Sequence, residues 1–179
     1  MFGTNQESVV RFMAQEYRCK IADCSDMERK WEQLIADAGA DRANWIAWKK
    51  SAIRQAAAGE TLPYYGILDE EIICEATACL CAKVVQNAAG LVGEKTAYLC
   101  AFRTLEAYRG KGYFSKLLRW LLNDLKQRGY EAVTLGVEPK EEQNRQIYAH
   151  YGFDEYVKTA TERYPDGAAI TVDYYRKKL

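Results

Sequence analysis

The chain has a single histidine, His150, no Cys-x-x-Cys pair, and no excess of charge of either sign. One histidine leaves a zinc site short of nitrogen ligands, so no metal is expected. The six cysteines are Cys19, Cys24, Cys74, Cys79, Cys81 and Cys100; four sit inside apolar strand-like runs and read as reduced core residues. Cys79-Leu80-Cys81 would place two thiols on one strand face. Lysine plus arginine equals aspartate plus glutamate at 25 each. Neither nucleic acid nor an anionic membrane is favoured as a partner, and any basic site must be local. No apolar run approaches the roughly 20 residues of a membrane helix. Residues 1–17 lack the basic start, apolar core and small-residue cleavage site of a secretion signal, so a cytoplasmic protein is expected. Also missing are the Gly-x-x-x-x-Gly-Lys-Ser/Thr loop and the Gly-x-Gly-x-x-Gly fingerprint, which counts against a nucleotide-binding α/β protein.

What is there is a chain of 179 residues, 49% apolar and 28% charged, the balance of one globular domain over residues 1–179 with its own core. Residues 1–60 read as helical. A short helix is expected over 8–17, and Ser25-Asp26-Met27-Glu28 looks like a capping box opening a helix that ends at Asp37, before Gly39. A longer helix follows over 41–58 and stops at Gly59. Residues 61–139 switch to strands, with a hairpin over 63–68 and 72–80, a loop over 86–93, and a strand over 96–105. Phe114, Leu117, Leu118, Leu121, Leu122 and Leu125 then fall at helical spacing, giving an amphipathic helix over 113–128, and 131–137 alternates as a strand. Residues 140–179 hold a helix over 140–151 and strands over 153–164 and 168–176, joined by the turn signal Pro165-Asp166-Gly167.

Strand, glycine segment, helix and strand over 96–137 make a βαβ unit whose helix begins at Arg109-Gly110-Lys111-Gly112. The first turn of such a helix, with Tyr113, Phe114 and Ser115, has free N–H groups and partial positive charge, which suits an anion. Gly110 and Gly112 let backbone approach a phosphate, and Arg109 and Lys111 add charge. Two glycines beside basic residues are also what an ordinary helix start carries.

In that setting, Arg109-Gly110-Lys111-Gly112 resembles the acetyl-CoA motif (Arg/Gln-x-x-Gly-x-Gly/Ala) of the GNAT superfamily of N-acetyltransferases. The segment from Asn144 through Tyr148 to Gly152-Phe153 resembles that family's later helix, with an asparagine and a tyrosine before a Gly-Phe that starts the next strand. Together the two cover roughly residues 96–156. The motif departs at Phe114, where glycine or alanine is usual, and Asn144 and Tyr148 lie four residues apart, closer than in many members. Four residues still share a helical face.

The resemblance implies an α+β fold of the GNAT type: a mixed, mostly antiparallel sheet of six to seven strands flanked by helices, its central strands splayed. It implies acetyl-CoA as cosubstrate and transfer of its acetyl group to a primary amine of a small molecule or peptide. It further implies coenzyme contacts at Phe102, Arg103 and Thr104, whose strand would offer a backbone amide to the developing oxyanion, at residues 109–115, and at Asn144. Tyr148 would protonate the departing sulfur. The competing view of Tyr148 is an aromatic core residue, and of the chain a non-catalytic acyl-CoA-binding sensor or assembly module.

An attacking lysine-like amine, with an ordinary pKa near 10.4, costs on the order of 4–5 kcal/mol to deprotonate at pH 7. A carboxylate is the usual remedy. Glu75 leads as that base because it interrupts the apolar run 72–80, where a charge is expensive unless it faces a cleft; an edge-strand glutamate facing solvent is the competing view. Glu106 and Glu138, at strand ends, are the reserves. Trp45, Trp48, Tyr64, Tyr65, Tyr174 and Tyr175 are candidate walls of an acceptor pocket. The terminal strands offer an edge at which a homodimer can pair.

Overall fold

The computed structural model describes residues 16–39, 42–164 and 167–179. Most of the expected helix over 8–17 lies outside them, and so does most of the turn at 165–167. Tyr17 does not end a helix; it opens a strand, β1 (Tyr17–Ile21), which pairs antiparallel with β2 (Thr61–Leu68). Tyr17, Cys19 and Ile21 alternate with Arg18 and Lys20, the period-2 pattern of a half-buried strand, but the run is only five residues long and follows directly on the segment expected to be helical.

Helix α1 (Cys24–Asp37) is capped by Asp23 and Asp26: Asp26 N–H donates to Asp23 Oδ1 at 3.0 Å and Asp23 N–H donates to Asp26 Oδ2 at 3.1 Å. The box therefore sits two residues ahead of the one expected at Ser25. Both segments carry the right spacing; Asp23 takes the role because the Ala22 N–H, bonded to the Pro63 carbonyl, fixes where the chain leaves β1. Helix α2 (Arg42–Ala57) packs on α1 through Trp31 and Trp45, ring centroids 6.0 Å apart.

The hairpin of β2 with β3 (Glu71–Cys79) forms as expected, and β3 pairs with β4 (Thr96–Thr104). Helix α3 (Tyr113–Gln127) follows, then β5 (Ala132–Val137), α4 (Glu142–His150), β6 (Glu155–Arg163) and β7 (Ala169–Lys178). The sheet has seven strands in the order β1-β2-β3-β4-β5-β7-β6. Every neighbour pair is antiparallel except β4 with β5.

Leu117, Leu118, Leu121 and Leu125 of α3 are wholly buried against Tyr64, Ala76, Ala78, Leu99, Val133 and Leu135 on one sheet face. At about 1.5–3 kcal/mol for each such side chain, this stripe anchors the helix whose first turn forms the site. The opposite face is shared. Helices α1 and α2 cover Tyr65 and Ile67 there, and the loop after β3 covers Tyr98, Tyr174 and Val172 through Val85 and Leu91.

Two irregularities in β4 open the sheet beside it. Parallel pairing with β5 spans only Thr96 to Leu99, so β4 beyond Cys100 has no neighbour on that side. In the same stretch Ala101 and Phe102 stand opposite the single residue Ala76 of β3, a bulge, with Ala101 at φ +55°. A left-handed alanine costs about 1–2 kcal/mol. Bulges of this kind bend a strand and re-aim its groups.

Candidate active site

Outside the carboxyl ends of two parallel strands is where an open α/β sheet offers a crevice, and here it opens where β4 and β5 part. Strand β4 runs through a single turn, Glu106–Tyr108, into the glycine segment. Gly110 has φ +72° and Gly112, which caps α3, has φ +81°. At neither position would a Cβ meet an atom within 4 Å, so glycine is required by the backbone conformation rather than by crowding. The amides of residues 110–115 donate to no protein acceptor among the described residues, and Gly112 supplies no side-chain cap. They form a run of donors at the positive end of a helix dipole.

The side chains around that run fix its shape. Arg109 Nε donates to the Thr104 carbonyl at 3.1 Å, tying the glycine segment back to β4. The Tyr113 carbonyl accepts from the Tyr17 hydroxyl at 2.9 Å, so the unforeseen strand β1 also steadies it. Lys111 is exposed, 5.7 Å above the Tyr108 ring. Ser115 Oγ accepts a hydrogen bond from the Tyr151 hydroxyl, which joins the first turn of α3 to the end of α4. Phe114, the departure from the motif, turns its ring edge-on to Phe102 at 5.6 Å and fills the space between helix and strand.

Asn144 and Tyr148 are the two half-buried positions of α4, whose other residues are exposed. Tyr148 lies 5.5 Å from the Phe102 ring and 6.4 Å from Phe153. Burial pushes its hydroxyl up to about 12, and no hydrogen bond contributes. A neutral phenol therefore stands beside the splayed part of β4.

On the other side of β4 is a cavity of about 420 Å³ between the sheet and helices α1 and α2. Its floor is the bulge and its neighbours, Cys100 to Arg103, and its walls include Trp31, Trp45, Tyr65 and Glu75. Glu75 is 7% exposed, so it is not a solvent-facing edge residue. It pairs with Lys30, Nζ to Oε2 2.7 Å. Burial pulls the Lys30 ammonium below its ordinary value, the attraction of Glu75 opposes this, and the charge of Arg103 adds to it. The reserve carboxylates lie elsewhere: Glu106 is exposed in the turn after β4, and Glu138 pairs with Lys140 at 2.8 Å.

Of the expected aromatic walls, Trp45 and Tyr65 line the cavity. Trp48 packs on the outer side of Trp45 and is 37% exposed. Tyr64 is on the α3 face and donates to Asp124 at 2.7 Å, Tyr174 packs beneath the loop after β3, and Tyr175 belongs to the α3 core. Lys30 and Trp31 were not anticipated. Met27, Lys30, Trp31 and Leu34 follow the i, i+3, i+4, i+7 pattern of one helix face, and that was the signal available.

The cysteines also differ from expectation in one respect. Strand β3 ends at Cys79, so Cys79 and Cys81 do not share a strand face; Cys79 instead meets Cys100 on β4, sulfurs 3.7 Å apart. All six are free thiols, and no cluster able to hold a metal occurs among the described residues. No helix among them is long and apolar enough to cross a membrane.

A sequence search of curated proteins finds no match. Solved structures match over nearly the whole chain. Arabidopsis thaliana NAA60 in complex with acetyl-CoA is similar at 19% identity and a TM-score of 0.67, covering 92% of this chain and 99% of that one. The ribosomal-protein-S18-alanine N-acetyltransferase of Escherichia coli is similar at 14% identity and 0.64, with 92% and 94% covered. The Salmonella typhimurium protein yncA, a putative acetyltransferase solved with its cofactor acetyl-CoA, is similar at 15% and 0.62, with 92% and 94% covered. At these identities the likeness is one of fold. The model of the acetyltransferase (GNAT) family matches residues 25–153, well over half of the sequence and inclusive of the glycine segment, Asn144 and Tyr148, and the chain belongs to that family.

Proposed function

We propose that the chain transfers the acetyl group of acetyl-CoA to a primary amine of a small molecule or peptide by direct attack. The observation that carries this reading is the run of uncommitted amides over residues 110–115, opening where β4 leaves β5 and next to a neutral Tyr148. The amides and Lys111 would hold the coenzyme's pyrophosphate, and Asn144 its pantetheine arm or phosphate region. The backbone from Phe102 to Thr104, at and just past the bulge, would donate to the thioester carbonyl oxygen as negative charge develops there. The thioester supplies an activated acyl group, and everything else falls to residues of this chain.

Glu75, fixed by Lys30, would accept the proton of the incoming ammonium, directly or through water. The amine nitrogen bonds to the acetyl carbon as the carbon–sulfur bond breaks, and the nitrogen gives up its second proton to water. Tyr148 would give its proton to the departing sulfur and recover one from solvent. Ammonium and acetyl-CoA thus become amide, free coenzyme A thiol and one proton.

Release of thiol from acetyl-CoA, followed across a panel of primary amines for the parent, Tyr148→Phe and Glu75→Gln, tests the reading. Turnover with at least one amine, reduced in both variants, is expected. No turnover with any amine alongside tight acetyl-CoA binding would replace it with a non-catalytic acyl-CoA-binding module.

A further inference from the structure

The cavity over β4 carries three charged side chains, and their sum is not zero. Lys30 and Glu75 neutralise each other at 2.7 Å. Arg103 lines the same cavity and is half-buried, and its guanidinium makes no ion pair or hydrogen bond among the described residues. Its charge is felt at Lys30, where it disfavours the ammonium. Asp37 is the other acid close by; it is exposed, at the rim of a smaller adjoining pocket, and does not pair with Arg103. An acceptor entering as an ammonium alone would add a further positive charge to a site already holding one in excess. A polycation would add several.

The register of the sheet makes the remedy specific. Glu75 and Arg103 are direct cross-strand partners on β3 and β4. Side chains so placed stand about 5 Å apart at their Cβ atoms. An acid and a guanidinium rooted on neighbouring strands of one cavity are placed to meet the ammonium and the carboxylate of one small molecule. Guanidinium is suited to grip a carboxylate by two parallel hydrogen bonds. Beyond the charges the walls are apolar or aromatic, with Met27, Trp31, Leu34, Trp45 and Tyr65.

Resting on the acetyl-transfer reading above, we propose that the acceptor is a free α-amino acid with a large apolar or aromatic side chain. Arg103 holds the α-carboxylate, Glu75 faces the α-ammonium, and the side chain lies between Trp31, Trp45 and Tyr65. Arg103 is then the residue that separates this substrate from amines without an acidic group. Its backbone belongs to the donor side and its side chain to the acceptor side.

The test compares acceptors in pairs that differ only by the carboxylate: L-tryptophan with tryptamine and L-phenylalanine with 2-phenylethylamine, alongside glycine and spermidine. Loss of a charged hydrogen-bonded contact predicts kcat/KM about a hundredfold lower for each carboxylate-free partner, carried mainly by KM. Glycine and spermidine are expected to be poor acceptors. In Arg103→Gln the preference within each pair collapses, and in Arg103→Lys, which keeps the charge without the fork, it is intermediate. Equal turnover of L-tryptophan and tryptamine by the parent would overturn the proposal and leave acetyl transfer to an amine standing. Preference that survives Arg103→Gln overturns the assignment of Arg103. Absence of turnover with every amine removes the acetyl-transfer reading and the proposal with it. The parent's own preference decides the carboxylate requirement even if neither variant folds.

Discussion

The two sides of β4 are built in opposite ways. On the side proposed for the donor the groups offered are main-chain amides from one short run, residues 110–115, joined by Asn144 and Tyr148 from α4, which follows α3 and β5. On the side proposed for the acceptor they are side chains gathered from α1, α2, β2, β3 and β4, among them Lys30, Trp31, Trp45, Tyr65, Glu75 and Arg103. Amides are the same whatever residue carries them, so the donor side depends on backbone conformation and tolerates exchange of exposed side chains. The acceptor side holds a buried ion pair, and its chemistry changes with any one of its residues. A family can thus keep its coenzyme while changing its acceptor.

The largest effect should come from breaking the acceptor side at its ion pair. Lys30→Met leaves Glu75 buried without its partner, and removal of one member of a buried pair typically costs about 3–5 kcal/mol. Urea denaturation should show a loss of that size, with most of it recovered in Lys30→Met combined with Glu75→Leu. A loss below about 1 kcal/mol would mean the pair behaves as a surface one. Lys30 also carries a pH signature. Because burial holds its folded pKa below the ordinary 10.5, the unfolded chain binds more protons in the interval beneath that value. Stability of the parent should therefore gain from this residue as pH rises through the interval and lose it as pH falls. The parent-minus-variant difference isolates this gain from the buried tyrosines, which titrate in the opposite sense.

Next in size is the donor side's one chemical side chain. Tyr148→Phe should lower kcat by about 10²–10⁴, the range for a positioned acid, with little change in acetyl-CoA affinity. Its hydroxyl, pushed up to about 12, stays protonated through pH 10, so the parent's kcat should show no falling limb from this group below that pH. A limb centred near pH 9 that vanishes in Tyr148→Phe would show a more acidic phenol than its burial provides.

The same contrast explains what could be read from the sequence. The βαβ unit, the glycine segment and α4 are local patterns, and each landed within a few residues of its expected place. Asn144 and Tyr148 were singled out by the family resemblance, their four-residue spacing placed them on one face of α4, and they are its two half-buried positions. Strand β1 does carry a local signal, the alternation from Tyr17 to Ile21, but five residues beside a helical expectation are too short to outweigh it without the pairing to β2, and the capping box was displaced because two overlapping segments carry the same spacing. Glu75 stood out as a charge within an apolar run, but its partner Lys30 is joined to it only by the packing of α1 on the sheet. Phe114 looked like a defect in the motif, yet its ring closes on Phe102, a contact that spacing does not reveal.

A smaller effect would test whether the donor side is truly made of backbone. Gly112 and Gly59 both have positive φ, +81° and +69°, and at neither would a Cβ meet an atom within 4 Å. Substitution by alanine therefore carries the same purely conformational cost at both, about 1–2 kcal/mol, visible as a similar drop in unfolding free energy. Gly59 ends α2, far along the chain from the glycine segment, whereas Gly112 begins α3 and orients the amides after it. Isothermal calorimetry should then separate the two: acetyl-CoA binding weakened about tenfold in Gly112→Ala and unmoved in Gly59→Ala. Matching affinities for the two variants would mean that the amides at the start of α3 do not hold the coenzyme, and the contrast between a backbone-built donor side and a side-chain-built acceptor side would fail at its first term.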